Sequence, residues 1–141
     1  MTGLEVFTRA MTIMDNLSEG SGNSDTDDNR PYKLRTVEII NLLAPELYPY
    51  SATYRAGKGR AFPDPISDIG DEIDLDDYIC AAVLPYGLAA HLSLGEDDSM
   101  ANFFQQRYEE LSARLSRGVP AESEAVKDVY AGLFDRNFAR W

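Results

Sequence analysis

The side chains that could do chemistry are few, and each fails a spacing test. His91 is the only histidine, within Ala89-Ala90-His91-Leu92. A nucleophilic triad or a multi-histidine metal centre needs partners the chain does not supply. His91 therefore reads as a satisfied or helix-surface residue. Cys80 is the only cysteine, so no internal disulfide can form. It lies in the apolar run Tyr78-Ile79-Cys80-Ala81-Ala82-Val83-Leu84 and reads as a small buried hydrophobe. Asp25, Asp27 and Asn29 alternate as at the start of a calcium loop. Arg30 stands where that loop needs glycine, and Thr36 where it needs a bidentate glutamate. Gly57-Lys58-Gly59-Arg60 lacks the upstream glycine and the Ser or Thr of a phosphate-binding loop. With Arg55 it forms the one basic cluster of the body, suited to an acidic partner surface.

The densest group is acidic: Asp64, Asp68, Asp71, Glu72, Asp74, Asp76 and Asp77. Paired carboxylates can move protons or hold a divalent ion. Without a basic or histidine partner, and leading into a helix start, the run reads as a solvated capping segment. Neither a catalytic residue, a metal nor a cofactor is expected. A hydrolase using these carboxylates is the weakest of the readings.

Composition points the same way. The chain has 141 residues, enough for one domain with a real core and no metal or disulfide staple. With 24 acidic against 13 basic residues, its net charge is −11. Such a chain should not adsorb to a phosphate backbone, which calls for clustered Lys and Arg. The segment Met1–Leu17 lacks the basic start and apolar run of a secretory signal, and the longest apolar run is too short to span a membrane. A cytoplasm-like compartment, or a particle assembled there, is expected.

The elements that carry these residues are mostly helices. A first helix is predicted over 3–18, capped by Thr2 with Glu5 three residues on. It bears two apolar stripes: Leu4, Phe7, Met11, Met14, and Val6, Ala10, Ile13, Leu17. Both can serve one core, or one can serve a neighbouring subunit. Residues 19–29 read as a mobile polar loop. A second helix starts near Pro31, with Leu34, Val37, Ile40 and Leu43 or Ala44 facing inward, Ile39 and Leu42 beside them, and Asn41 on the polar side. Pro45 should stop or kink it. Residues 55–75 read as a loop with one short β-hairpin, projecting from the helices. A third helix from Asp76 or Asp77 to Leu94 is apolar almost all round, kinked at Pro85 and ended by Gly95. A fourth, starting at 97–99, carries Phe104, Tyr108, Leu111 and Leu115 on one face, with Glu110 spaced to pair with Arg114. The short connection makes these two an antiparallel hairpin.

After Gly118 and Pro120 comes a tail with Val126, Val129, Tyr130, Leu133, Phe134, Phe138 and Trp141. Residues 127–141 hold Lys127, Arg136 and Arg140 against Asp128 and Asp135, a local excess of one positive charge. Aromatic and arginine side chains are common interface anchors. The tail either docks on a partner or folds back on its own core. The fold class expected is mainly α: a small bundle of about four helices, a loop or hairpin insertion around 55–75, and an extended C-terminal arm. Residues 1–117 would form the body and 118–141 the arm.

Leu75-Asp76-Asp77-Tyr78, Leu84-Pro85-Tyr86-Gly87-Leu88-Ala89-Ala90-His91-Leu92 and Ala101-Asn102-Phe103-Phe104-Gln105-Gln106-Arg107-Tyr108-Glu109-Glu110-Leu111 together resemble the helical core of head–tail connector (adaptor) proteins of tailed bacteriophages. The ending, Asp128-Val129-Tyr130-Ala131-Gly132-Leu133 with Phe138-Ala139-Arg140-Trp141, is similar to chain ends of small phage structural proteins. The resemblance covers residues 75–141; the first helices fit by pattern only. It implies a virion protein at the neck, forming a ring, usually a dodecamer, beneath the portal. Such a ring extends the DNA channel and links head to tail. Implied partners are further copies of the chain, the portal protein and a stopper or tail protein, with DNA passing through unread and no membrane. The portal-docking arm would then be Val126, Val129, Tyr130, Leu133, Phe134, Arg136, Phe138, Arg140 and Trp141. The channel or rim acids would be Asp64, Asp68, Asp71, Glu72 and Asp74. Alternatives are a small cytoplasmic protein–protein interaction module and a tail-completion protein.

Overall fold

A computed structural model describes residues 1–17, 22–55 and 62–118. The described chain is mainly helical, as its periodicity predicts. Helix α1 spans Gly3–Ile13, α2 Arg30–Leu47, α3 Asp77–Ala82, α4 Leu84–Ser93 and α5 Asp98–Gly118; a 3-10 turn, Tyr48–Tyr50, follows α2.

The expected capping box opens α1. Thr2 Oγ1 accepts from the Glu5 N–H, and the Glu5 carboxylate accepts from the Thr2 N–H. The helix ends at Ile13, earlier than the predicted Ser18. Asp15 turns left-handed at φ 58, and the N–H groups of Asp15 and Asn16 return to the carbonyls of Thr12 and Met11. That pairing is a Schellman closure. Val6, Phe7, Ala10 and Met11 are all fully buried, so both apolar stripes serve one core.

Helix α2 runs on past Pro45 to Leu47, where the sequence predicts a stop or kink. Pro45 removes one donor near the helix end. Ala44, Leu47 and Tyr48 are buried around it, and this packing outweighs the local preference. The inward face of α2 matches the expected one in part: Ile40, Leu43 and Ala44 are buried as predicted. Thr36 and Leu47 join them, while Leu34, predicted inward, and Leu42, placed beside the stripe, are 74% and 69% exposed.

The predicted long third helix is broken into α3 and α4 at Val83. The kink expected at Pro85 is realised two residues earlier. This places Pro85 in the first turn of α4, where a missing N–H costs nothing. Helix α4 is the axis of the molecule: Leu84, Leu88, Ala89, Ala90 and Leu92 are buried. Helix α5 packs along it as the expected hairpin partner, through Phe104, Tyr108 and Leu111. Asp97 caps α5, its Oδ1 accepting from the N–H groups of Ser99 and Met100 at 2.9 and 3.0 Å. Glu110 pairs with Arg107 at 3.0 Å instead of with Arg114.

Residues 62–75 form no strand, so the hairpin expected in this region is not seen; a single bridge joins Thr2 to Glu72. Nor does the segment project. Ile66, Ile73 and Leu75 are buried in the core. Its carbonyls instead cap α1: the Gly3 N–H donates to the Asp71 oxygen at 3.1 Å and the Leu4 N–H to that of Ile69 at 2.6 Å. With the Thr2 N–H served by Glu5 and the Glu5 N–H by Thr2, all four free donors at the start of the helix are satisfied. Gly3 is required there, since a Cβ would lie 2.9 Å from the Ile69 oxygen.

Candidate functional site

The acidic segment is built by its own carboxylates. Asp71 Oδ2 accepts from the backbone N–H groups of Ser67 and Asp68, both at 2.8 Å, and Asp68 Oδ1 from Gly70 at 2.8 Å. The backbone donors from Asp68 and Ser67 hold the Asp71 carboxyl below the usual aspartate range. A general base poised for neutral pH needs the opposite shift. Asp74 accepts from the Asp64 N–H at 3.4 Å. Asp76 caps α3 through Ile79 at 3.0 Å and receives the Ala52 N–H at 3.2 Å. Asp77 holds the terminal ammonium of Met1 at 3.0 Å, which raises that group's pKa. Asp64, Asp68, Asp71 and Glu72 are exposed and Asp74 half-buried. The five rim candidates are thus on one surface loop, and three of them organise its backbone. Among the described residues, no three His, Cys, Asp or Glu side chains converge as a metal site.

One residue that fixes this loop has no signature in the sequence. Asn41, assigned to the polar side of α2, clamps Ile66 at two points: its Oδ1 accepts from the Ile66 N–H and its Nδ2 donates to the Ile66 oxygen, both at 2.9 Å. The only hint was an amide at the edge of an apolar stripe. A similar pin holds residues 22–29, which read as a mobile loop. Asn29 Nδ2 donates to the carbonyls of Asn16 and Ser24 at 2.6 and 3.0 Å, and Lys33 pairs with Asp25 at 2.9 Å. The calcium-like aspartate is thereby engaged by an ammonium group.

Cys80 is fully buried, and desolvation pushes its thiol up to about 11. It is therefore a packed thiol with little thiolate at neutral pH. His91 is half-buried on the last turn of α4. Tyr108 donates to Glu46 Oε2 at 2.9 Å, tying α5 to α2, and Tyr32 donates to Glu96, tying α2 to the α4–α5 turn.

Two open grooves flank the body. One, about 570 Å³, lies between the start of α2 and the acidic loop, against Arg30, Leu34, Val37, Asp68 and Ile69. The other, about 540 Å³, lies between α1, the α3–α4 break and α5, with Arg9, Ile13, Ala82, Tyr86, Arg107 and Leu111 on its walls. Arg107 also sits over the Tyr86 ring at 6.0 Å. Arg9 and Arg107 lie nearly 100 residues apart, so no motif or spacing in the sequence pairs them. Large apolar side chains stand exposed on α2 at Leu34 and Leu42, on α3 at Tyr78, and around the start of α5 at Leu94, Met100 and Phe103. The arm candidates Val126, Val129, Tyr130, Leu133, Phe134, Arg136, Phe138, Arg140 and Trp141 lie outside the described residues, as do Lys58 and Arg60. No family model, curated protein or solved structure matches the chain.

Proposed function

We propose that this chain is a structural, non-enzymatic virion protein: a head–tail connector that forms a ring under the portal and extends the DNA channel. The observation that carries the reading is the packing of residues 75–111, which hold the connector resemblance. They form one unit, the buried α3–α4 axis sheathed by α5. Two features support it further. Within the chain's richest chemical resource, its carboxylates, Asp68 and Asp71 close turns and Asp76 and Asp97 cap helices. The apolar residues Leu34 and Leu42 are left over from the fold and suit a subunit contact. On this reading the exposed acids repel DNA from the wall of its conduit, and the tail from Val126 to Trp141 docks on the portal.

Cryo-electron microscopy of assembled particles tests this directly. The chain is expected as a closed ring between portal and tail, with head-to-tail contacts between copies. Particles made with a chain ending at residue 125 should accumulate heads without tails, while the isolated truncated chain stays helical by circular dichroism. A chain located on the capsid surface or in the tail tube, or normal particles from the truncated chain, would overturn the reading.

A further inference from the structure

The arginine groove stands out against the charge of the molecule. A chain of net charge −11 here places Arg9 and Arg107 on one opening without a carboxylate on its walls. The neighbouring grooves differ: that at the start of α2 includes Asp25, Asp27 and Asp68, that at Met14 includes Glu96 and Asp97, and that at Tyr50 includes Glu46 and Glu109. Arg9 is exposed and makes no ion pair among the described residues. Arg107 pairs with Glu110, but that pair is on the surface, where such contacts hold weakly and exchange readily. Ile13, Leu111 and the Tyr86 ring add apolar surface to the same groove.

The complementary surface is on the same chain. Asp64 and Glu72 are exposed, and their carboxylates make no hydrogen bond or ion pair among the described residues. They flank a loop already held rigid by Asp71 and Asn41, so binding it would cost little ordering entropy. The loop shares no residue with the groove, and it adjoins the first turn of α1, whereas the groove adjoins the last. Two different patches of opposite charge on one subunit define a heterologous contact, the kind that closes into rings.

We propose that the groove lined by Arg9 and Arg107 receives the acidic loop of a second copy, with Asp64 and Glu72 as the paired carboxylates. The inference rests on the connector reading and adds the contact through which the subunits would meet. Charge reversal on the full-length chain tests it. The groove variant Arg9→Glu/Arg107→Glu and the loop variant Asp64→Lys/Glu72→Lys should each self-associate roughly tenfold or more weakly than the parent in sedimentation velocity. Mixing the two should restore assembly, because each groove then meets a loop of opposite charge. The milder variant Arg9→Gln/Arg107→Gln covers the case in which two new glutamates near Glu110 disturb α5, and circular dichroism checks every fold. Undiminished assembly of the reversed variants, failure of the mixture to recover, or a parent chain that stays monomeric at every concentration would overturn the proposal. If the reversed chains still build the neck ring in particles, this contact is wrong and the connector reading stands. If the mixture recovers but the chain is absent from the neck, the connector reading is wrong and the contact stands.

Discussion

Gly87, on α4, faces Leu43 of α2 and Tyr108 of α5. A Cβ there would lie 2.9 Å from Leu43 Cδ1 and 2.9 and 3.0 Å from two ring carbons of Tyr108. The Tyr108 ring cannot swing clear, because its hydroxyl is tied to Glu46 and the residue is buried. Gly87→Ala gains helix propensity, worth up to about 1 kcal/mol. Overpacking at a tight crossing costs about 1–3 kcal/mol. The net expectation is destabilisation of up to about 2 kcal/mol, read as a lower urea midpoint with an unchanged slope. A midpoint at or above the parent's would show that α4 and α5 have room to separate. The glycine was legible as part of the resemblance, but its reason was not. Nothing in Tyr86-Gly87-Leu88 says which partner helices press on it. The capping box is the opposite case: Thr2 and Glu5 are three residues apart, so the sequence itself states the contact.

At the scale of elements, the helices were readable and the segment between α2 and α3 was not. Periodicity located each helix because side chains three and four residues apart share a face whatever the partner is. On α2 it placed Ile40, Leu43 and Ala44 inward, where they are buried, but it put Leu34 there too. Leu34 and Val37 fit a stripe as well as Ile40 and Leu43 do, and the choice is made by α1 and α4 on the inner side. The acidic segment misled for a related reason. Ile66, Ile69, Ile73 and Leu75 among acids resemble a strand pair, yet among the described residues no neighbouring strand satisfies their backbone. The carboxylates of Asp68 and Asp71 take up the amides, and the carbonyls are spent on α1. This couples loop and helix in a measurable way. In Asp71→Ala the amides of Ser67 and Asp68 should exchange hydrogen faster. The Gly3 and Leu4 amides should quicken with them, since their acceptors lie in the loosened loop, while the amides of α4 should not change. Exchange at Gly3 and Leu4 matching the parent would mean that the loop holds its place without the Asp71 turn.

On the scale of the whole molecule, pH acts on groups that the fold keeps protonated. Burial raises the Cys80 thiol from 9.0 to about 11. It also pushes the Tyr108 phenol well above its ordinary value of 10.0, with the Glu46 carboxylate adding to the rise. The terminal ammonium of Met1 is raised above 8.0 chiefly by the Asp77 hydrogen bond. All three shifts have one sign: the folded chain holds a proton that the unfolded chain releases at lower pH. Stability is then fully present below the unfolded values and is lost as pH rises through the folded ones. For Cys80 the window runs from pH 9 to about 11, and the Tyr108 contribution begins to fall from about pH 10. Both residues pack against the helix pair that carries the resemblance, so unfolding that begins with their ionisation should be global and not a fraying of one end. The urea midpoint should therefore hold to about pH 8 and decline steadily from pH 9 to 11. Cys80→Ala separates the two core groups, since it removes the thiol while leaving Tyr108 in place. Its midpoint should start lower, from the lost sulfur packing, and fall less between pH 9 and 10, where the phenol contributes least. An equal fall in parent and variant over that interval would show that Cys80 is not the group whose burial sets the alkaline limit.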